Sequence, residues 1–227
     1  MGKAKVRLKL HQSPAKIEAM MFKALQKRIQ QRLSMTWSIK LIDGFTDLFE
    51  QEIKSQEFFN SLNASTRGSL KGSLGLVDGQ KDMSTIIEFW KEHMAFKVHK
   101  GSRTRGSFGG FTMGIIKADY QDVLSHPVAS FASEHNFDVD WLQYLLVGGT
   151  VFNYRIVWKG GGSLFPDEMF SPPKSRTGLA LMLKKITGSW QLPPPYAPSG
   201  ENNVVIRAFT PAFQSKFEAM ARAVIFA

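Results

Sequence analysis

Five histidines, nineteen carboxylates and no cysteine are the raw material for side-chain chemistry in this 227-residue chain. The absence of thiols rules out disulfides, thiolate metal sites and a cysteine nucleophile. His11, His93, His99, His126 and His135 share no metal-ligand spacing with one another or with neighbouring carboxylates, so each reads as a surface or capping residue. Glu50, Glu52 and Glu57 fall in one helical region, but positions two apart on a helix do not face each other, and a solvated face accounts for them. There is no Gly-Lys-Ser/Thr phosphate loop and no Gly-x-Ser-x-Gly elbow. The expectation is a protein that is not an enzyme, with no catalytic residue, no cofactor and no metal.

The remaining reactive resource is positive charge. The formal net charge is +10, and it is laid down in blocks. Residues 1–40 carry ten Lys/Arg and one acid, Glu18. Residues 41–92 are net acidic, 93–118 contain five basic and no acidic residues, 119–145 the reverse, and 146–227 are basic again. Charge of one sign in one segment points to a partner of the other sign. Alternating blocks also suit contacts between copies of one chain. Residues 1–12 read as a mobile basic arm. Ser13 then caps a helix opened by Pro14 and running to about Met35. Ile17, Met21, Leu25, Ile29 and Leu33 form its apolar stripe, with Lys16, Lys23, Lys27, Arg28 and Arg32 mostly off it. Those cations face DNA phosphates or an acidic partner, or else form an ordinary solvated face. The second basic segment, Lys97 to Gly110, mixes Lys97, Arg103 and Arg105 with Gly, Ser and Phe; a hairpin or loop is favoured over a nucleic-acid-binding tract.

The elements that must position these groups follow from periodicity. Trp37 to Leu62 is a second helical region with a break at Gly44. Asn63 to Gly79 reads as a loop plus a strand, and Thr85 to Met94 as a strand or short helix with Trp90 in the core. Phe111 to Tyr120 alternates as a strand. Pro127 turns His126 away from helix. Asp140 caps a short helix, Trp141 to Val147, ended by Gly148-Gly149. Val151 to Trp158 is the clearest strand. Gly160 to Lys174 is a long irregular loop whose Phe165, Met169 and Phe170 either dock on a partner or fold back on their own core. Thr210 caps the last helix, Pro211 opens it, and Phe213, Phe217, Met220 and Val224 are its stripe. The apolar end Val224, Ile225 and Phe226 wants cover from its own core or a neighbouring subunit.

The stretch Ser175 to Phe209 contains no nucleophile–base pair and no ligand cluster. Arg176-Thr177-Gly178 turns into an apolar run, Leu179 to Ile186, read as a buried strand, and Pro193-Pro194-Pro195 as a stiff polyproline segment. The residues Ser175-Arg176-Thr177-Gly178, Gly188-Ser189-Trp190, Pro193-Pro194 and Asn202 through Arg207-Ala208-Phe209 resemble the neck and tail-completion proteins of tailed bacteriophages. That family closes with an Arg-Ala-Phe or Arg-Pro-Phe element leading into a C-terminal helix. It carries upstream an aromatic strand entered through a Gly-Thr pair, matched here by Gly149-Thr150 and Phe152 to Trp158. The resemblance covers residues 141–227 and is vague before them.

The fold expected is α+β. A central, mainly antiparallel β-sheet is flanked by an N-terminal basic helix and a C-terminal amphipathic helix, in one domain over 13–227. The resemblance implies a structural virion protein at the head–tail junction, assembled in the host cytoplasm. It would form a ring of its own copies between the portal or adaptor side and the tail tube or tail terminator, with genomic DNA as a further contact and no membrane. Phe165, Met169, Phe170, Val224, Ile225 and Phe226 are then interface candidates. Arg176, Gly178, Trp190, Arg207 and Phe209 are structural. The alternative is a basic nucleic-acid-binding protein acting through residues 3–40 and 97–105. Its expected signature is DNA binding that weakens steeply with salt.

Overall fold

A computed structural model describes residues 13–35, 37–102, 107–114, 120–132, 138–148, 154–161, 165–172, 174–184, 192–193, 195–198 and 202–226. The fold is α+β, with helices at both ends and antiparallel strand pairing. The basic arm, Arg103, Arg105, Trp190, Gly149-Thr150 and Phe152 lie outside the described residues.

The first helix, α1, spans Pro14–Met35, as the Ser13-Pro14 start signal predicts. Its buried face differs from the expected stripe. Leu33 is buried and Ile29 half-buried, but Met21 and Leu25 are 59% and 46% exposed. A series with four-residue spacing advances about 40° per step beyond a full turn, so it winds around the helix and meets the core only at its C-terminal end. Helix α2, Trp37–Ser55, runs straight through Gly44. A Cβ at Gly44 would lie 2.0 Å from the Met220 sulfur, so this glycine permits a close helix crossing and does not mark a break. The interruption comes at Gln56, before α3, Glu57–Ser61.

The Ser/Gly-rich segment expected as loop and strand instead contains α4, Leu70–Leu74. The Ser69 hydroxyl accepts from the Gly72 N–H at its start, and Gly75 in the left-handed region closes it. Asp78 caps α5, Gly79–Glu92, which settles the strand-or-helix alternative as helix and buries Trp90. A hairpin follows: β1, Ala95–Ser102, pairs antiparallel with β2, Ser107–Gly114, in the register Phe96↔Met113 and Val98↔Phe111. Next come α6, Gln121–Leu124, and a single 3₁₀ turn at Pro127–Ala129. His126 is extended, as expected before proline. The pair β3, Phe131–Ala132, and β4, Asp138–Val139, precedes α7, Trp141–Leu146. Strand β5, Tyr154–Trp158, pairs antiparallel with β6, Ala180–Lys184. Helix α8, Pro211–Phe226, closes the described chain, and the Thr210 hydroxyl accepts from the Phe213 N–H. Among the described residues the strands form three separate two-stranded ladders.

Two apolar clusters hold these elements. The larger joins α2, α3, α4, α5, α7, α8 and the segment before α8 around Phe49, Trp90, Trp141 and Phe213. The smaller contains Leu33, Trp37, Leu41 and Ala221, with Ile29, Phe96, Val98 and Phe111 packed against it. It attaches α1 and the β1–β2 hairpin to α2 and α8.

Candidate functional site

One part of the stretch that carries the resemblance, Asn202 to Phe209, lies just before α8. Asn203 is 4% exposed and satisfied on both ends of its amide. Its Nδ2 donates to the Tyr120 hydroxyl at 2.9 Å and to the Leu146 carbonyl at 3.0 Å. Its Oδ1 accepts from the Val205 and Ile206 N–H groups, each at 3.0 Å. An asparagine side chain that caps the turn following it holds the backbone in a local loop. Here the same side chain also ties that loop to α7 and to Tyr120, whose φ of 55° lies in the left-handed region.

Arg207 spreads its fork over the preceding segment. Nε donates to Asn202 Oδ1 at 2.9 Å, while the two terminal nitrogens donate to the carbonyls of Pro195 at 2.7 Å and Ala197 at 3.2 Å. The Tyr196 and Ala197 N–H groups both donate to the Pro193 carbonyl, with a turn at Pro195-Tyr196; Pro194, the middle of the expected polyproline segment, lies outside the described residues. Phe209 stacks on Phe49 at 5.8 Å and meets Phe213 edge-on at 5.1 Å. Before β6, the buried Ser175 hydroxyl donates to the Ala180 carbonyl at 2.7 Å and accepts from the Gly178 N–H at 3.0 Å. Gly178 has a φ of +71°, which a side chain would strain. The Arg176 guanidinium lies over the Phe131 ring, 3.7 Å from its centroid. Burial raises the Asp82 carboxyl above its ordinary pKa, with Asp78 adding to the rise and Arg176 opposing it.

The cations of α1 are placed differently. Lys16, Lys23, Lys27, Arg28 and Arg32 are all exposed. Arg32 lies over the Trp37 ring at 5.4 Å. None of the five has an ion-pair partner among the described residues. The hairpin is held to α1 by Gln26, whose Nε2 donates to the Gly101 carbonyl at 2.8 Å, and by Phe96 and Val98 in the shared cluster. Lys97 is exposed on the alternate face of β1, away from that cluster.

Of the apolar interface candidates, Phe170 is 4% exposed within its own chain, on a 3₁₀ turn at Asp167–Phe170. Its side chain is turned inward, so of the two alternatives for this residue the fold-back on its own chain fits and it offers no free docking surface. Phe165 and Met169 are half-buried. Val224 and Ile225 pack partly against the smaller cluster, so α1 and α2 of the same chain supply much of their cover; Phe226 ends α8.

The carboxylates read as a solvated face have specific partners. Glu50 accepts from Lys54 and, at 2.8 Å, from Lys91 of α5. Those two bonds hold its carboxyl below the ordinary pKa of 4.5, and the Glu50 bond likewise raises Lys91. Glu52 accepts from Lys216 of α8 at 2.6 Å, and Glu57 from the Tyr196 hydroxyl at 3.4 Å. The histidines make local contacts. His93 stacks on Phe89, His99 Nε2 lies 2.6 Å from the Thr112 hydroxyl, and His126 Nδ1 accepts from the Val128 N–H; His11 and His135 lie outside the described residues. Among the described residues no three metal-ligating side chains converge, and no helix is long and apolar enough to cross a membrane. Asn203 was the residue that sequence reasoning missed. Its only local signal was an Asn placed three residues before a 3₁₀ turn at Ile206–Ala208.

No family model matches the chain, and no curated protein or solved structure is significantly similar to it.

Proposed function

We propose that this chain is a structural protein of a phage head–tail junction, a neck or tail-completion ring joining the portal or adaptor side to the tail. The observation that carries the reading is what the resembling residues do. Ser175, Gly178, Asn203, Arg207 and Phe209 spend their polar and aromatic groups on internal hydrogen bonds and ring contacts. Asn203, Arg207 and Phe209 form a clamp at the entry to α8, and Ser175 and Gly178 close a separate turn before β6. A part whose task is to present rigid faces to neighbours needs that arrangement, and it needs no bond-making step. The reading assigns the protein to the virion, with copies of itself and the adjoining head and tail proteins as partners.

The test is disruption of the gene followed by electron microscopy of the particles. Separate filled heads and finished tails are expected, and joining should return when the purified chain is added. Normally joined particles in the disrupted strain would overturn the proposal.

A second reading is supported by the exposed cations of α1 and by Lys97: a phosphate-binding surface for duplex nucleic acid. The large aromatic side chains Phe49, Phe58, Trp90, Trp141 and Phe213 are buried, so they are not available to stack on single-stranded bases. A gel-shift series on duplex DNA at rising salt separates the readings. Tight binding by a lone chain, falling steeply with salt, favours this one.

A further inference from the structure

Two exposed ridges on adjacent helices are unlike each other and complementary. On α1, Met21 and Leu25 are 59% and 46% exposed, and Arg28 follows on the same side of the helix one turn on. On α2, the side opposite the buried Trp37–Leu41–Phe45 row carries Ile39, 62% exposed, followed at four-residue steps by Asp43 and Asp47. Neither aspartate has a hydrogen-bond or ion-pair partner for its carboxylate among the described residues, and neither does Arg28.

We infer that these ridges are the two halves of one contact: the Met21–Leu25–Arg28 ridge of one copy docks on the Ile39–Asp43–Asp47 ridge of a second copy. Both ridges run from apolar to charged along the chain direction. Laid parallel, they place Leu25 on Ile39 and Arg28 beside Asp43, with Asp47 one turn further on. The spacings agree, since Leu25 to Arg28 spans about 4.5 Å of helix and Ile39 to Asp43 about 6 Å. Laid parallel, α1 on α1 would oppose arginines and α2 on α2 would oppose aspartates; antiparallel, each would set its charged end against an apolar residue, so the complementary match is between unlike faces. A contact between unlike faces is heterologous: each added copy leaves one ridge of each kind free until a ring closes. A DNA backbone would satisfy Arg28 but would leave Met21 and Leu25 in water. The inference deepens the ring reading and rests on it for closure; the pairwise contact stands on the two ridges.

The test uses the full chain and measures mass by light scattering across a concentration series. Parent protein should associate, and added salt should weaken the association. Arg28→Glu and Asp43→Arg should each move the midpoint to roughly tenfold higher concentration or more, because like charges then face each other. The double variant Arg28→Glu/Asp43→Arg should return it to the parent range. Leu25→Gln should weaken association without changing its salt dependence. All three positions are exposed, so unchanged circular dichroism and melting are expected, and they confirm that folding is intact. A parent that stays monomeric at every concentration, single variants that associate like the parent, or a double variant that fails to recover would overturn the contact. So would a monomer that instead sediments with phosphatidylserine vesicles through Arg28. A chain that is monomeric alone yet restores head–tail joining would sink this contact and leave the junction reading standing. Self-association through these ridges in a chain that never joins heads to tails would do the reverse.

Discussion

Asn203 shows how much one side chain can hold. Four hydrogen bonds converge on a group that is 4% exposed, and two of its partners, Tyr120 and Leu146, are 83 and 57 residues away in the chain. Truncation leaves buried donors and acceptors unpaired, which costs more than the bonds themselves contribute. Asn203→Ala should lower unfolding stability by ~2–4 kcal/mol in denaturant titration. A loss below the usual surface range would mean that water replaces the amide. Arg207 was legible from its motif, but Asn203 was not, because an asparagine before a turn looks the same whether its outer partners exist or not. Glu50 had the same problem: its second lysine lies 41 residues on. The paired carboxyl titrates below 4.5, so its stabilising contribution is complete above the ordinary carboxylate pKa and is lost as pH falls through the lowered folded value. Glu50→Gln should therefore cost about 1 kcal/mol at neutral pH, a difference that closes in acid when melting is followed across the carboxylate range. A gap that persists at low pH would assign the loss to packing.

At the scale of elements, boundaries with chemical punctuation were readable, Gly148 after α7 among them, and glycines inside helices were not. Ser13-Pro14 and Thr210-Pro211 fixed the starts of α1 and α8 because a cap and a first-turn proline act locally. Gly44 and Gly72 carry the same letter as a turn glycine, yet each sits inside a helix where a neighbour needs the space. A Cβ on Gly72 would stand 2.4 Å from the Trp158 ring of β5. This contact accounts for a glycine inside α4, in a segment where a loop plus a strand was expected. Alanine has the better helix propensity by ~1 kcal/mol, so an exposed helix would gain from the change. Here the ring must move, and overpacking costs ~1–3 kcal/mol. Gly72→Ala should thus show net destabilisation with a shifted tryptophan fluorescence spectrum. A stabilised protein with an unchanged spectrum would mean that β5 gives way freely. The α1 stripe failed for a different reason. Four-residue spacing is compatible with a helix but does not say which part of a winding row meets a core, and the exposed Met21 and Leu25 follow from that.

For the molecule as a whole, the division into two clusters sets the order in which parts let go. The larger cluster draws on most helices, whereas α1 and the hairpin are fastened through the smaller one around Leu33, Trp37, Leu41 and Ala221. The first turns of α1 add little, since Met20 and Met21 are more than half exposed. Elements with few buried apolar contacts open at lower free energy than the global transition. Amides of α1 and β1 should therefore exchange with deuterium before those of α5 and α7, whose Trp90 and Trp141 are 1% exposed. Trp37 is the hinge of this attachment, packed in the smaller cluster and capped by Arg32. Trp37→Ala removes the largest side chain of that cluster, a change of ~3–5 kcal/mol for a buried tryptophan. The loss should fall on α1 and the hairpin: their protection collapses while α5 and α7 keep theirs. Equal loss of protection across all helices would show that the two clusters unfold as one. In that case α1 could not move independently of the body that carries the Asn203–Arg207 clamp.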